Sequence, residues 1–330
     1  MRSIRRILVG VKYPSLKSQP TIVKAAQLAG GANATLELCH VLTDPLSGTA
    51  AAVEGFDSVQ FRQEREATVR EQLEYIAADL RSRSIPCEIA LTWDFPTHDA
   101  LIRRAVETGA DLIVAGRHPE KHVAPWLLGY TDWELLRLAP VPVLLVKSGE
   151  PYQHPGILAA VDPTHANAKP AGADAEILDV AQAVCKALDG TLRAVHAFGV
   201  APVVVDWKRS RDPQAVDRIL KSIVEKALDQ FTSVLKDAGL ADVERHFVDG
   251  HPVDVIPEVA HRTGSAIVVM GALSRSGLQR LFIGNTAEKV LGKLDCDVLV
   301  VKPPGFAASR TDIPGLTQPS PGGQSSGSQP

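Results

Sequence analysis

The sequence predicts two tandem, doubly wound α/β domains, each built on a five-stranded parallel sheet, followed by a disordered C-terminal tail. Three observations carry this reading. Short apolar runs alternate with helical patterns, four of those runs recur in order later in the chain, and the composition of the last residues changes abruptly.

The first run, Arg6-Ile7-Leu8-Val9-Gly10-Val11, returns as Gly156-Ile157-Leu158-Ala159-Ala160-Val161. The second, from Ala34 to Val41, returns from Gly190 to Ala197. Thr108 to Gly116 returns as Thr263 to Gly271, and Val141 to Lys147 returns as Cys296 to Lys302. An offset near 150 residues is far too long for a solenoid, so the chain carries a duplicated domain. The runs are continuous and rich in Val, Ile and Leu, which suits strands buried on both faces of a parallel sheet.

Helices fill the intervals. Val69, Leu73, Ile76 and Leu80 recur at helical spacing, as do Val216, Leu220, Ile223, Ala227 and Phe231, with Gly239 placed to stop the second helix. Ser148 to Pro155 has the turn chemistry of a linker. The expected domains are therefore 1–148 and 149–303, with a tail over 304–330. Rich in Pro, Gly, Ser and Gln, that tail cannot bury enough apolar surface to offset its ordering entropy.

Composition narrows the function classes. The 330 residues hold 35 Lys+Arg against 38 Asp+Glu, a formal charge of −3, and only 5% aromatic residues. This balance argues against a protein that coats nucleic acid by releasing counterions or by stacking bases. No apolar stretch approaches the ~20 residues that span a bilayer, and Ile7 to Val11 is too short for a signal-peptide core. Cys39, Cys87, Cys185 and Cys296 stand far apart, which points to reduced, buried thiols and a cytoplasmic location. Cys39-His40 has no visible third ligand, so no metal site is assigned.

The most informative stretch runs from Met270-Gly271 through Ser274 to Gly284-Asn285-Thr286. A strand ends at Gly271, small residues follow, and Gly284-Asn285-Thr286 opens a helix that Asn285 or Thr286 can cap with Glu288 reaching back. Glycines let backbone N–H groups approach an anion, and the helix start adds unpaired donors. Spacing alone leaves two readings open, an anion cradle or tight turns with a capped helix.

This stretch resembles the glycine-rich signature of the universal stress protein family, in which spaced glycines and a Ser/Thr surround an ATP phosphate chain. Gly271 and Gly284 fall on the outer glycines. Asp162 matches the family aspartate that meets the nucleoside end of the ligand, and Gly250-His251-Pro252 resembles the Gly-x-Pro turn lining the same pocket. The resemblance thus implies ligand-binding roles for Asp162, Gly250, Met270, Gly271, Ser274, Gly284 and Asn285. Departures matter as much: Ser274 replaces the middle glycine, Asn285 the Ser/Thr, and Leu273 a common arginine. A Cβ at 274 narrows the cradle, although the Asn285 amide still donates.

The first copy departs further. Gly116 and Gly129 keep the spacing, but Pro119 and Tyr130 stand at the other two positions. Lys12 replaces the aspartate, and Asp94 replaces the glycine before Phe95-Pro96. This half is not expected to bind nucleotide in the family manner. Tyr130 to Arg137, ahead of Pro140-Val141-Pro142, resembles the tandem branch of the family. The resemblance implies pairing of the two halves through their fifth strands, as an intramolecular pseudo-dimer, and a role in resistance to DNA-damaging agents and other stresses.

Other constellations carry less. Arg117, His118, Lys121 and His122 read as a solvated loop, and Lys208-Arg209-Ser210-Arg211 is too short for nucleic-acid binding. His246, Asp249 and His251 lack the nucleophile that acid–base work would serve. His40 and His196, at matching strand ends, read as structural. The expected function is therefore a cytoplasmic stress-response protein, not an enzyme, acting through a small molecule and protein partners. ATP or another small molecule would occupy the second half, and a homodimer is open. The alternatives are an ATP binder with slow hydrolysis and a ligand-free interaction module.

Overall fold

The computed structural model describes residues 3–43, 58–117, 131–165, 172–199, 213–271 and 285–306. The first half runs β1 (Arg6–Gly10), α1 (Pro20–Ala32), β2 (Thr35–Leu42), α2 (Ser58–Ser82), β3 (Cys87–Trp93), α3 (Thr97–Thr108), β4 (Leu112–Gly116), α4 (Thr131–Leu138) and β5 (Val143–Val146). The second runs β6 (Gly156–Ala160), α5 (Ala173–Ala187), β7 (Thr191–Phe198), α6 (Pro213–Asp237), β8 (Glu244–Asp249), α7 (Pro252–Arg262), β9 (Ser265–Gly271), α8 (Asn285–Lys293) and β10 (Asp297–Val301).

All ten strands share one sheet, in the order β3-β2-β1-β4-β5-β10-β9-β6-β7-β8. Pairing is parallel within each half and antiparallel only where β5 meets β10, with Leu144 opposite Leu299. The fifth strands therefore join the halves as the resemblance implied.

Alternation along the strands sends side chains to two separate cores. Ile7 and Val9 face one side with Leu28 of α1, Leu73 of α2, Leu178 of α5 and Phe231 of α6. Leu8 faces the other with Leu101 of α3, Leu135 of α4, Val259 of α7 and Val290 of α8. Each core runs through both halves. Burying each such side chain contributes about 1.5–3 kcal/mol, so these two layers outweigh any surface ion pair.

Local signals in the sequence set the helix ends. Pro20 and Pro252 open α1 and α7 at a position where the missing N–H costs nothing. Asn33 and Gly109 end α1 and α3 in the left-handed conformation, and α6 stops two residues before Gly239. Val69, Leu73, Ile76 and Leu80 are all buried, as the spacing requires. The stripe on α6 is less regular: Val216, Ala227 and Phe231 are buried, Leu220 is partly exposed, and Ile223 is 43% exposed. Pro303 to Phe306 forms a turn, with the Phe306 N–H donating to the Pro303 carbonyl at 3.1 Å and the Phe306 ring lying under the Lys302 ammonium at 4.9 Å. Residues 307–330 lie outside the described residues.

At the seam, α1 packs directly on α5. A Cβ built on Gly31 would lie 1.7 Å from the Ala187 carbonyl oxygen, so only glycine permits this approach. Beside it, Lys24 and Asp297 are fully buried and form an ion pair at 2.6 Å. The remaining polar atoms are satisfied. Tyr152 OH donates to Asp297 Oδ2 at 2.7 Å, the Lys147 and Ser148 N–H groups donate to Oδ1, and Lys24 also donates to Ser148. The linker is thereby pinned between helix α1 of one half and strand β10 of the other.

Candidate functional site

In an open sheet wound both ways, ligands bind outside the carboxyl ends of the strands where the order reverses. In the second half that point lies between β6 and β9, with Ala160 beside Met270. Asp162 follows β6 immediately, after the Val161 N–H donates to the Val195 carbonyl at 3.0 Å. A short 3-10 turn, Pro163–His165, then redirects the chain. Thr164 Oγ1 donates to Asp162 Oδ1 at 3.0 Å, and the Asp162 N–H donates to Asp174 Oδ1 of α5 at 3.0 Å. The carboxylate keeps 34% of its surface exposed, so it is oriented yet open to solvent.

Beneath it lies His196, buried, with Nδ1 4.0 Å from Asp162 Oδ1. The same nitrogen is 3.2 Å from the Val161 carbonyl, which can only accept, so Nδ1 carries the proton. His40 makes the matching bond to Val11 at 2.7 Å. The structural reading of the pair holds, but His196 also sits under the candidate site, a role its sequence position alone did not signal. Its ring packs 5.7 Å from Phe231 and 5.8 Å from Phe247, and Phe247 stacks on Phe198 at 4.0 Å.

Gly250 closes the far side. Its φ is 145°, and a Cβ there would meet Val255 Cγ2 at 2.8 Å, so glycine is required on both counts. His251 caps α7, its Nδ1 accepting from the Val253 N–H at 3.2 Å. His246 lies 3.2 Å from Glu244 on the edge strand, and burial holds its pKa below the usual imidazole value.

The Met270 side chain is 5% exposed and packs in the core with Val259 of α7 and Val290 of α8. Gly271 ends β9 beside it. Asp162, Gly250, Met270 and Gly271 thus gather at the carboxyl ends of one strand group. Ser274 and Gly284 lie outside the described residues. Asn285 opens α8 with its backbone, as expected, and its side chain lies outside the described set.

The matching place in the first half is built differently. Lys12 is exposed, with its ammonium 5.1 Å from the Tyr13 ring. Asp94 pairs with Arg103 and accepts from the Phe95 N–H at 2.7 Å, and Phe95 is 81% exposed. Arg117 is exposed after β4, whereas His118, Pro119, Lys121, His122, Gly129 and Tyr130 lie outside the described residues, as does Lys208 to Arg211.

Among the described residues no cluster of three His, Cys, Asp or Glu side chains is placed to hold a metal ion. Burial pushes the Cys39 thiol up to about 12, which keeps it a thiol beside His40. All four cysteines are free; Cys39 and Cys87 are buried, but Cys185 and Cys296 are only partly so, which corrects the expectation of four buried thiols. No described helix is long and apolar enough to cross a membrane.

The profile of the universal stress protein family matches this chain twice, over residues 3–147 and 157–302. The chain belongs to the universal stress protein family. As a tandem member it is similar to universal stress protein E of Escherichia coli K12, at 30% identity over 250 residues, covering 73% of this chain and 74% of that protein. The universal stress protein E homolog of Haemophilus influenzae is 27% identical over 238 residues, covering 71% and 75%. Among solved structures, a functionally unknown protein of Pseudomonas aeruginosa PAO1 superposes with a TM-score of 0.68 at 25% identity, covering 91% of this chain and 93% of that one. A universal stress protein of Archaeoglobus fulgidus shares the fold at TM-score 0.59 and 16% identity, covering 91% and 97%. Membership in this family supports a role in the stress response.

Proposed function

We propose that this universal stress protein works in the cytoplasm as a stress-response binding protein, with its small-molecule site in the second half. One observation carries the reading: at the switch point between β6 and β9, where Ala160 pairs with Met270, the chain presents an oriented and partly exposed Asp162. A carboxylate there accepts hydrogen bonds from a sugar or a nucleobase, and the sequence from Gly271 to Asn285 resembles the family signature for an anionic end. A nucleotide such as ATP has both features. The ligand is held rather than turned over, because phosphoryl transfer needs a metal-anchoring carboxylate and a positioned water in addition to a cradle.

The division of labour follows the halves, taken as domains over 1–148 and 149–303 with a tail from 304. Lys12 in place of the aspartate reverses the charge at the first half's switch point. Its exposed Tyr13, Leu16 and Phe95 suit protein partners better than a nucleotide. The output of this assembly is resistance to DNA-damaging agents and related stresses. A ligand-free interaction module is the competing reading.

Mass spectrometry of small molecules released from the denatured, purified protein tests it. A recovered nucleotide is expected. An empty protein that also fails to bind added ATP overturns the ligand reading and leaves the interaction module. Asp162→Ala with Asn285→Ala should weaken ATP binding at least about tenfold, the loss of one or two charge-assisted hydrogen bonds. An unchanged affinity in that double variant moves the site elsewhere.

A further inference from the structure

The two copies of the repeat end their fifth strands on a lysine, and each lysine reaches into the other half. Lys147, just past β5, donates through Nζ to the carbonyls of Leu291 and Leu294 at 2.6 and 2.8 Å. These carbonyls lie at the end of α8, in the second half. Lys302, just past β10, donates to the Arg137 carbonyl at 3.1 Å, in the last turn of α4 of the first half. The last carbonyls of a helix lack intrahelical partners and carry its negative pole, so an ammonium is the favoured group to close them.

Lys147 is held at both ends. Its own N–H donates to Asp297 Oδ1 at 2.7 Å, inside the buried network of the seam. The side chain is thus a short strut from the seam to the end of α8. That helix has only nine residues, and its first is Asn285, which follows Gly284 directly. A helix so short is marginal without tertiary support, so a loosened last turn is felt in the first.

We propose that Lys147 is a positioning residue for the second half's ligand site, acting across the seam by closing the last turn of α8. This rests on the site proposed above. The first half then has a task independent of any pocket of its own: it holds the helix that opens its neighbour's site. Lys302 does the same for α4, so a lysine on either fifth strand reports on a helix of the opposite half.

Hydrogen exchange by mass spectrometry on the full chain, comparing Lys147→Met, Lys147→Arg and Lys302→Met, tests the strut. Lys147→Met should speed exchange in the peptide over 285–294 about tenfold, the loss of charge-assisted hydrogen bonds, and leave 131–139 unchanged. Lys302→Met should do the reverse. Binding of a fluorescent ATP analogue should weaken in Lys147→Met, recover in Lys147→Arg and stay at wild-type strength in Lys302→Met. Unchanged exchange over 285–294, or equal acceleration in both peptides, overturns the strut. Altered exchange with unchanged analogue affinity overturns the positioning role. A wild-type protein that never binds the analogue removes the nucleotide reading and with it the positioning claim, while the exchange data still decide the strut.

Discussion

The two halves share a backbone plan and differ where the plan makes a crevice. Past β1 the first half presents Lys12 and Tyr13 to solvent; past β6 the second presents Asp162, oriented by Thr164. Past β3 stands Asp94 paired with Arg103, and past β8 stands Gly250 at a φ only glycine adopts readily. Beneath the site the contrast reverses. His40 and His196 make the same bond to the residue just past the neighbouring strand, because that bond serves the fold common to both halves. Duplication therefore preserved the sheet, the switch point and the histidine tie, while charge and space at the mouth diverged. One strand charge also changed sign: buried Glu37 of β2 binds Arg6 and Arg104, whereas partly exposed Arg193 at the matching place of β7 pairs with Glu244.

The largest expected effect would break the joint on which the comparison depends. Asp297→Ala strands a buried Lys24 and frees Tyr152 and two linker N–H groups, so stability should fall by about 3–5 kcal/mol in urea unfolding. A loss below about 1 kcal/mol would mean the halves hold together without the network. Phe231→Ala should cost about 3–4 kcal/mol, since the ring is fully buried against His196, while the exposed Ile223→Ala on the same helix should shift stability by less than about 1 kcal/mol. Equal losses would show that the upper turns of α6 are covered after all.

The pH dependence comes next. Burial lowers Lys147 to about 8 and Lys302 to about 7, against an ordinary 10.5. Between these values the unfolded chain binds more protons than the folded one, so stability rises with pH. The cost of burying the two ammoniums is fully present below about pH 7, and relieving it should add about 2–4 kcal/mol by pH 9. Above that the sign changes. Burial holds Cys39 and Cys87 at about 12, so the unfolded chain sheds thiol protons first and stability falls again. Tm measured from pH 6 to 10.5 should peak near pH 9, and Lys302→Met should flatten the rising limb. A Tm that declines steadily from pH 7 would contradict the buried state of both lysines.

The smallest effect concerns the approach of α1 and α5. Gly31→Ala normally favours a helix, yet here the new methyl meets the Ala187 carbonyl, so a loss of about 1–3 kcal/mol is expected. A gain would show that the two helices can part without cost.

Much of this was legible in the chain because its signals are local. Ile7 to Val11 and its copy announce strands by composition, Pro252 and Gly239 mark helix ends by their own backbone limits, and the repeat fixes the pairing of copies. Asp162 and Gly250 stood out because each matches the family pattern that its counterpart, Lys12 or Asp94, departs from. The direction of the Met270 side chain was not legible, because a residue adjacent to a glycine motif can still turn its side chain into the core. Lys24, Tyr152 and Asp297 gave no signal. Lys24 and Asp297 are 273 positions apart, and a lone lysine in an apolar helix stripe says nothing of its partner.

The sequence by itself determined two α/β copies and their unequal motifs, since periodicity, turn residues and substitutions within a repeat are properties of the chain alone. Only the tertiary structure decided that two continuous cores run through both copies, that the linker is pinned by a buried ion pair, and that each half's last lysine closes a helix of the other. Those features rest on contacts between distant residues, where burial removes water and a single partner fixes whether a charge is tolerated.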